Sequence, residues 1–330
     1  MSLNEKEWFI EAPWGRLSIV AWGDCFDPPV LLVHGRVDSA ATFRPLLKLL
    51  PRKFYYIGLE LPGNGRSDPF PPGLMLNAYD LVYSLRVVVK HFRWEKFVYV
   101  GHSLGTLLGK IYNLSYPDEM TQVVELDPTP MLFSVAPDQF ASWYHEYFTK
   151  FYNKYDKFNA PKETAPLYTK EKAIDMLKTT RGLTDEAAHV VLERISEPAG
   201  EGMISLTDEA AHVVLERISE PAGGGMIRYT FDQRIKMSTT PPLSAEQKEK
   251  LFTAIPTPTL TIVAETSLQY GYYDKTPFAL DEAAYPAKNY RVRKVAGNHD
   301  VHVSYPERLA TYVHQFLLYG LDGLDNKAKL

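Results

Sequence analysis

A single cysteine, Cys25, occurs in the 330 residues of the chain. One cysteine cannot close an intrachain disulfide, nor can it furnish a cysteine-rich zinc site. Excess charge of one sign is also missing, since 36 basic residues face 40 acidic ones and leave a formal −4. That balance gives no electrostatic pull toward nucleic acid or an anionic membrane. No apolar run reaches the ~18 residues that a transmembrane helix needs. Glycine and proline, at 20 and 24 residues, are too few and too scattered for a collagenous or low-complexity chain. The opening MSLNEKEWF carries acids and no apolar leader segment, so a secretory signal is not expected and a reducing, cytoplasmic setting is. What is present is a globular composition, 45% apolar and 23% charged. The length suits about two domains, or one large α/β domain with an insertion.

Part of that length is a copy. Leu183–Gly200 reads LTDEAAHVVLERISEPAG, and Leu206–Gly223 repeats it, while Met203-Ile204 recurs as Met226-Ile227. Two units are fewer than the ~3 that a solenoid needs, so the pattern is a tandem duplication of one element, over 182–204 and 205–227. Each copy predicts a helix. Thr184 can cap it, Asp185 and Glu186 occupy the first turn, and Ala188, Val191, Leu192 and Ile195 share a face. Pro198 and Gly200 end it. His189 and His212 are copies of each other and gain nothing as ligands by recurring.

Outside the copies, strands and helices alternate. Trp8–Trp22 predicts a twisted strand pair, and further strands fall at Val30–Val33, Phe54–Glu60, Lys96–Val100 and Val123–Asp127. Helical periodicity covers about Ala78–Phe92 and Leu104–Tyr116. After a long insertion the strand pattern returns at Thr259–Glu265 and Tyr290–Val295, and a last helix carries Ala310, Val313, Phe316 and Leu317 on one face. Such alternation predicts a mostly parallel, eight-stranded-type sheet with helices on both faces. Functional residues are then expected at the carboxyl ends of the strands.

One motif lies at such an end. Gly101-His102-Ser103-Leu104-Gly105 joins the strand KFVYV to the helix LGTLLGKIY. A strand–GxSxG–helix turn holds its serine in a strained conformation and exposes the hydroxyl at a positive helix end, which marks Ser103 as a nucleophile. The Leu104 N–H can stabilise a developing oxyanion. A second donor is expected from the loop His34-Gly35-Arg36-Val37-Asp38-Ser39, through the Arg36 N–H. The Arg36 side chain is expected to face solvent or pair with Asp38, though an acidic substrate group is a further possible partner.

A serine hydroxyl needs a base, and the base needs a carboxylate to orient it. Of the nine histidines, His299 and His302 lie in the loop after the last strand, and His299 is the candidate base. His302 is expected to support that loop or to open the final helix. His34, His91, His145 and His314 are expected to be structural or surface groups. For the carboxylate three positions remain open: Asp127 at a strand end, or Asp274 or Glu265 after the next strand. No metal and no organic cofactor is expected.

Together these stretches resemble the α/β-hydrolase superfamily and, within it, the serine hydrolase-like (kraken-like) family. The residues that carry the likeness are His34–Phe43, the turn Leu61–Ser67, the GHSLG elbow, LDPTPMLF at Leu126–Phe133, GNHDVH at Gly297–His302, and Asp232-Gln233-Arg234. The resemblance implies the α/β-hydrolase fold and a serine-nucleophile hydrolase. Haloalkane dehalogenases and epoxide hydrolases of that fold use Asp at the elbow, so Ser103 argues against both. Arg36 stands where similar proteins commonly have an aromatic residue.

The expected organisation is a catalytic domain of residues 1–127 and 252–330 interrupted by a helical cap, 128–251. Within the cap, Phe140, Tyr144, Tyr147, Phe151, Tyr155 and Phe158 recur every three or four residues, a stripe expected to be core, with part of it roofing a pocket. The expected reaction is hydrolysis of a small or medium, mainly apolar carboxylic ester through an acyl-serine. The alternatives are C–C bond or amide cleavage by the same groups, or a blocked scaffold with a binding role. The closing Ala328-Lys329-Leu330 resembles a peroxisomal address.

Overall fold

The computed structural model describes residues 4–128, 135–161, 169–182, 219–221, 227–229, 231–239 and 243–325. β1 (Glu5–Ala12) and β2 (Gly15–Trp22) form the expected strand pair, antiparallel with Ala12 opposite Gly15. β3 (Pro29–Val33), β4 (Tyr55–Leu59), β5 (Phe97–His102) and β6 (Met120–Leu126) follow. Residues of β3 and β5 are almost all buried, as an apolar run must be when both sheet faces are covered.

Ahead of the last two strands of the large sheet lies a short antiparallel pair, β7 (Ser219–Pro221) with β8 (Ile227–Tyr229). β9 (Thr259–Ala264) and β10 (Tyr290–Val295) then complete an eight-stranded sheet in the order β1-β2-β4-β3-β5-β6-β9-β10. All neighbours from β4 onward are parallel. After β3 the chain first pairs β4 on one side and then places β5 on the other. The loops that follow β3 and β5 therefore open into the same crevice, where sheets of this type bind ligands.

Helices Ala78–Phe92 and Leu104–Ser115 pack on one face of the sheet, with Leu81, Leu85, Leu107 and Tyr112 in its core. Arg44–Leu47 and Glu307–Asp325 cover the other face through Leu46, Leu47, Val313 and Phe316. Asn77 starts the first of these helices at the boundary that the pattern predicts. Its side chain accepts from Tyr79 N (2.8 Å) and Asp80 N (3.2 Å), while Asp80 accepts from Asn77 N (3.3 Å), satisfying three end-of-helix donors.

The stretch between β6 and β9 departs from expectation in two ways. It is not purely helical, because Ser219–Pro221, near the end of the second repeat copy, is extended and pairs with β8. The aromatic stripe is not a core stripe either. Phe151 is fully buried, but Phe140, Tyr144 and Tyr155 are 40–49% exposed. A π-helical turn at His145–Thr149 also interrupts the α-helical spacing, so the positions after it do not continue the period of those before it. The helices expected for Leu183–Gly200 and for most of Leu206–Gly223 lie outside the described residues. So do Ala328-Lys329-Leu330 and most of LDPTPMLF.

Two of the stretches that carried the family resemblance meet in this part of the fold. Asp232 N donates to Gly63 O (2.7 Å), and a side chain on Gly63, at φ +71°, would collide with Asp232 Cβ. Arg234 pairs with Asp232 (2.7 Å) and donates to Phe70 O (2.6 Å) and Pro71 O (2.8 Å). The Asp-Gln-Arg signal is thus a clasp that returns the chain onto the Leu61–Ser67 turn. Among the described residues no helix is long and apolar enough to cross a membrane.

Candidate active site

Ser103 sits at φ +51°, ψ −114°, a conformation few L-residues adopt, with the helix Leu104–Ser115 beginning at the next residue. The flanking glycines are dictated by contact. A Cβ on Gly105 would lie 2.2 Å from Val33 O, and one on Gly101 would lie 2.7 Å from Gly105 C. Gly35, in the loop after β3, has the same constraint: its Cβ would stand 2.9 Å from His102 Nδ1 and 3.1 Å from Ser103 Cβ. The β3 loop thus packs directly on the serine. Leu104, as the first helical residue, has an N–H with no intrahelical acceptor. His34, buried, braces the loop by donating from Nδ1 to Gly35 O (2.7 Å) and accepting Leu61 N at Nε2 (3.0 Å).

Of the expected site residues, the structure brings Ser103, His299 and Asp127 into one hydrogen-bonded chain. Ser103 Oγ donates to His299 Nε2 (2.8 Å), and His299 Nδ1 donates to Asp127 Oδ2 (2.5 Å). Asp127 lies just past β6, wholly buried, and accepts three more donors: Ser267 Oγ at Oδ2 (2.5 Å), Ala264 N (3.1 Å) and Tyr273 OH (3.2 Å), the last two at Oδ1. Neither Ser267 nor Tyr273 had a sequence signal, because their role comes only from the β6–β9 pairing. Glu265 is exposed in the first turn of the helix Glu265–Gln269, and Asp274 is exposed at the cavity wall. His299 is therefore partnered by Asp127.

Burial opposes charge on His299, but the hydrogen bond and charge of Asp127, aided by the Asp300 charge, outweigh it and hold its pKa above the ordinary imidazole value. His102 differs. Burial and the charges of His302 and His299 push it well down, so its ring is neutral and donates from Nε2 to His299 O (3.0 Å). His302, fully buried against His102 with ring centroids 4.1 Å apart, is pushed down to about 3 by burial. It lies in the short helix Val301–Ser304 and packs against the Phe43 and His102 rings.

A buried cluster behind His299 was not foreseen. Arg181, at the end of the helix Lys170–Arg181, reaches between Asp300 (Nε to Oδ2, 3.0 Å) and Asp38 (Nη2 to Oδ2, 3.3 Å). Asn298 Nδ2 donates to Arg181 O (3.3 Å) and Gly182 O (3.0 Å). These partners are more than a hundred residues apart in sequence, so no local pattern could have linked them. Burial raises Asp38 to about 7 against the Arg181 charge, whereas at Asp300 that charge prevails and the pKa falls. Ligand atoms of Asp38, His102 and Asp300 converge within 4.8 Å, a spacing that could hold a metal ion. The guanidinium already supplies the cation there. The expected Arg36–Asp38 pair is not formed, since Asp38 is committed to Arg181.

A cavity of about 1540 Å³ opens over Ser103 and His299. Trp143 and Tyr147 line it, the second of them from the aromatic stripe. Arg36 also lines it, with its side chain open to the cavity.

These features match known proteins. A family model for the alpha/beta hydrolase fold matches residues 28–171, from the edge of β3 through the elbow and past Asp127. Over that stretch the chain is similar in sequence to the α/β hydrolases, and its sheet and elbow have their fold. Human serine hydrolase-like protein 2 is 26% identical over 321 residues, covering 93% of this chain and 92% of its own length. The serine hydrolase-like protein of Danio rerio is 26% identical over 320 residues, covering 94% and 88%. The resemblance read from the motifs is thus borne out along nearly the whole chain. A solved structure of a hypothetical protein from Pseudomonas aeruginosa shares the fold, with a TM-score of 0.73 at 19% identity over 96% of this chain and 99% of that one.

Proposed function

We propose that this α/β-hydrolase is a serine esterase acting on small or medium carboxylic esters, with residues 128–251 forming a cap over the site. The unbroken chain from Ser103 through His299 to the buried Asp127 carries this reading. Ser103 Oγ attacks the acyl carbon as its proton passes to His299 Nε2, and the Leu104 and Arg36 N–H groups hold the oxyanion. A donor of that kind contributes about 10²- to 10³-fold in rate. The C–O bond then breaks, the alcohol leaves with the proton from His299, and water attacks the acyl-serine by the same route in reverse. Asp127 keeps the Nδ1 proton in place throughout.

A fluorophosphonate probe should label the native protein and leave Ser103→Ala unlabelled. A folded native protein that stays unlabelled would overturn the reading. Parallel assays with ester, amide and diketone substrates separate ester cleavage from the other acyl and C–C chemistries.

His299 works as a base only when neutral, and its pKa is raised. The acid limb of kcat/KM is therefore expected above about 6.5, the ordinary imidazole value. Asp300→Asn removes one of the charges that raises it and should move that limb to lower pH. A limb that stays in place in the variant contradicts this electrostatic account.

A further inference from the structure

We propose that the cavity selects an ester bearing a carboxylate in addition to the bond that is cleaved, and that the Arg36 side chain is the group that receives it. This deepens the esterase reading and rests on it. The argument begins with charge inside the cavity. Four carboxylates line it: Asp38, Asp300, Glu146 and Asp274. Asp38 and Asp300 are both committed to Arg181. Glu146 pairs with Lys150 one helical turn away. Asp274 is exposed and forms no ion pair among the described residues.

Arg36 has no such partner. No ion pair or hydrogen bond joins its guanidinium to any described residue, and Tyr147, which lines the same cavity, interacts with it electrostatically. The walls surround the head group without sealing it from the cavity, and burial pulls its pKa below the usual arginine value. The guanidinium is exposed to the cavity and has no counter-charge among the described residues, so it is free to take an anion there. Its planar fork matches a carboxylate in two parallel hydrogen bonds, and Tyr147 could add a third donor.

The position makes the consequence specific. Arg36 follows Gly35, which packs on Ser103 Cβ, so its backbone is fixed beside the reacting bond while its side chain extends along the cavity. Lys236 and Lys275, on the same lining, add further positive charge; Lys236 lies above the Phe231 ring (4.7 Å) and is tied to Gln233 Oε1 (2.9 Å). Trp143 and Tyr147 supply an apolar wall for the body of the substrate. The favoured substrate is thus an ester with a short apolar body and one carboxylate, on its acid or its alcohol side.

Two substrate pairs test this and distinguish the sides: mono-4-nitrophenyl glutarate against 4-nitrophenyl butyrate, and 3-acetoxybenzoate against phenyl acetate. The native protein should favour the charged member of at least one pair. Arg36→Gln should reduce that preference about 10- to 100-fold, chiefly through KM, the loss expected for a charge-assisted hydrogen bond. Arg36→Lys should recover part of it. A charged-to-neutral ratio that is the same in the native protein and Arg36→Gln overturns the proposal. Binding of glutarate to the Ser103→Ala protein reads the same site without turnover, and should weaken on adding Arg36→Gln. If that binding responds while no ester is hydrolysed, the esterase reading fails and the anion site stands. If esters are hydrolysed but neither ratio nor binding responds to Arg36, the anion site fails alone.

Discussion

Asp127→Asn should lower kcat on an activated ester by about 10⁴-fold while leaving the protein folded. The size of the effect follows from which acceptor can be replaced by an amide NH₂. Asp127 Oδ1 receives the backbone N–H of Ala264 and the hydroxyl of Tyr273, whereas Oδ2 receives Ser267 Oγ and His299 Nδ1. A backbone N–H cannot turn around to accept. The new NH₂ must therefore take the Oδ2 place, where the Ser267 hydroxyl can rotate and the His299 ring can change tautomer. In that tautomer Nδ1 accepts and Nε2 carries the proton, so Nε2 faces Ser103 Oγ with nothing to take its hydrogen. The buried acceptor network survives, so denaturation midpoints should stay close to those of the native protein. Single-turnover acylation, measured beside unfolding curves, separates the two effects. An Asn variant with more than a tenth of native kcat would mean that the carboxylate does not set the tautomer.

Much of this was legible because strong local rules agreed. Apolar runs placed the parallel strands, the β-turn-helix pattern placed Ser103, and the chain order of the fold placed His299. The carboxylate was less legible, since Asp127, Asp274 and Glu265 all follow strands in the right order and differ only in register. The pairing of β6 with β9 decides it: Leu126 lies beside Ile262, and Asp127 N continues the ladder to Ile262 O, which turns the Asp127 side chain under the His299 loop. The aromatic stripe misled because periodicity shows that side chains share a face, not that another element covers that face, and a π-turn also breaks its period. For Arg36 the exposed side chain was one of the two expectations; the other, a pair with Asp38 two residues away, fails because Arg181 from a remote helix takes that carboxylate.

Arg181→Met is expected to cost about 3–5 kcal/mol of stability, the usual loss when a buried ion pair loses one member. The Asp38 and Asp300 carboxylates, both nearly inaccessible, would face each other with no cation between them. The loss should depend on pH in a stated direction. Burial already raises Asp38 to about 7 in the presence of Arg181; without the guanidinium the folded state holds that proton more tightly, and Asp300 loses the charge that keeps its pKa low. Between the ordinary carboxylate value, about 3.9, and that raised value the folded chain binds more protons than the unfolded one. Stability in that window therefore falls as pH rises, and the fall should be steeper in Arg181→Met than in the native protein. Adding Asp38→Asn removes one of the two charges, so the double variant should regain part of the loss at pH 8 and little of it at pH 5. The same cluster holds the loop that aims His299, through Asp300 and through the Asn298 bonds to Arg181 O and Gly182 O. Those backbone bonds do not need the guanidinium, so kcat should fall less steeply than stability. Urea unfolding at pH 5 and pH 8, with kcat measured below the transition, checks both; equal destabilisation at the two pH values would show that Arg181 is not the counter-charge for this pair.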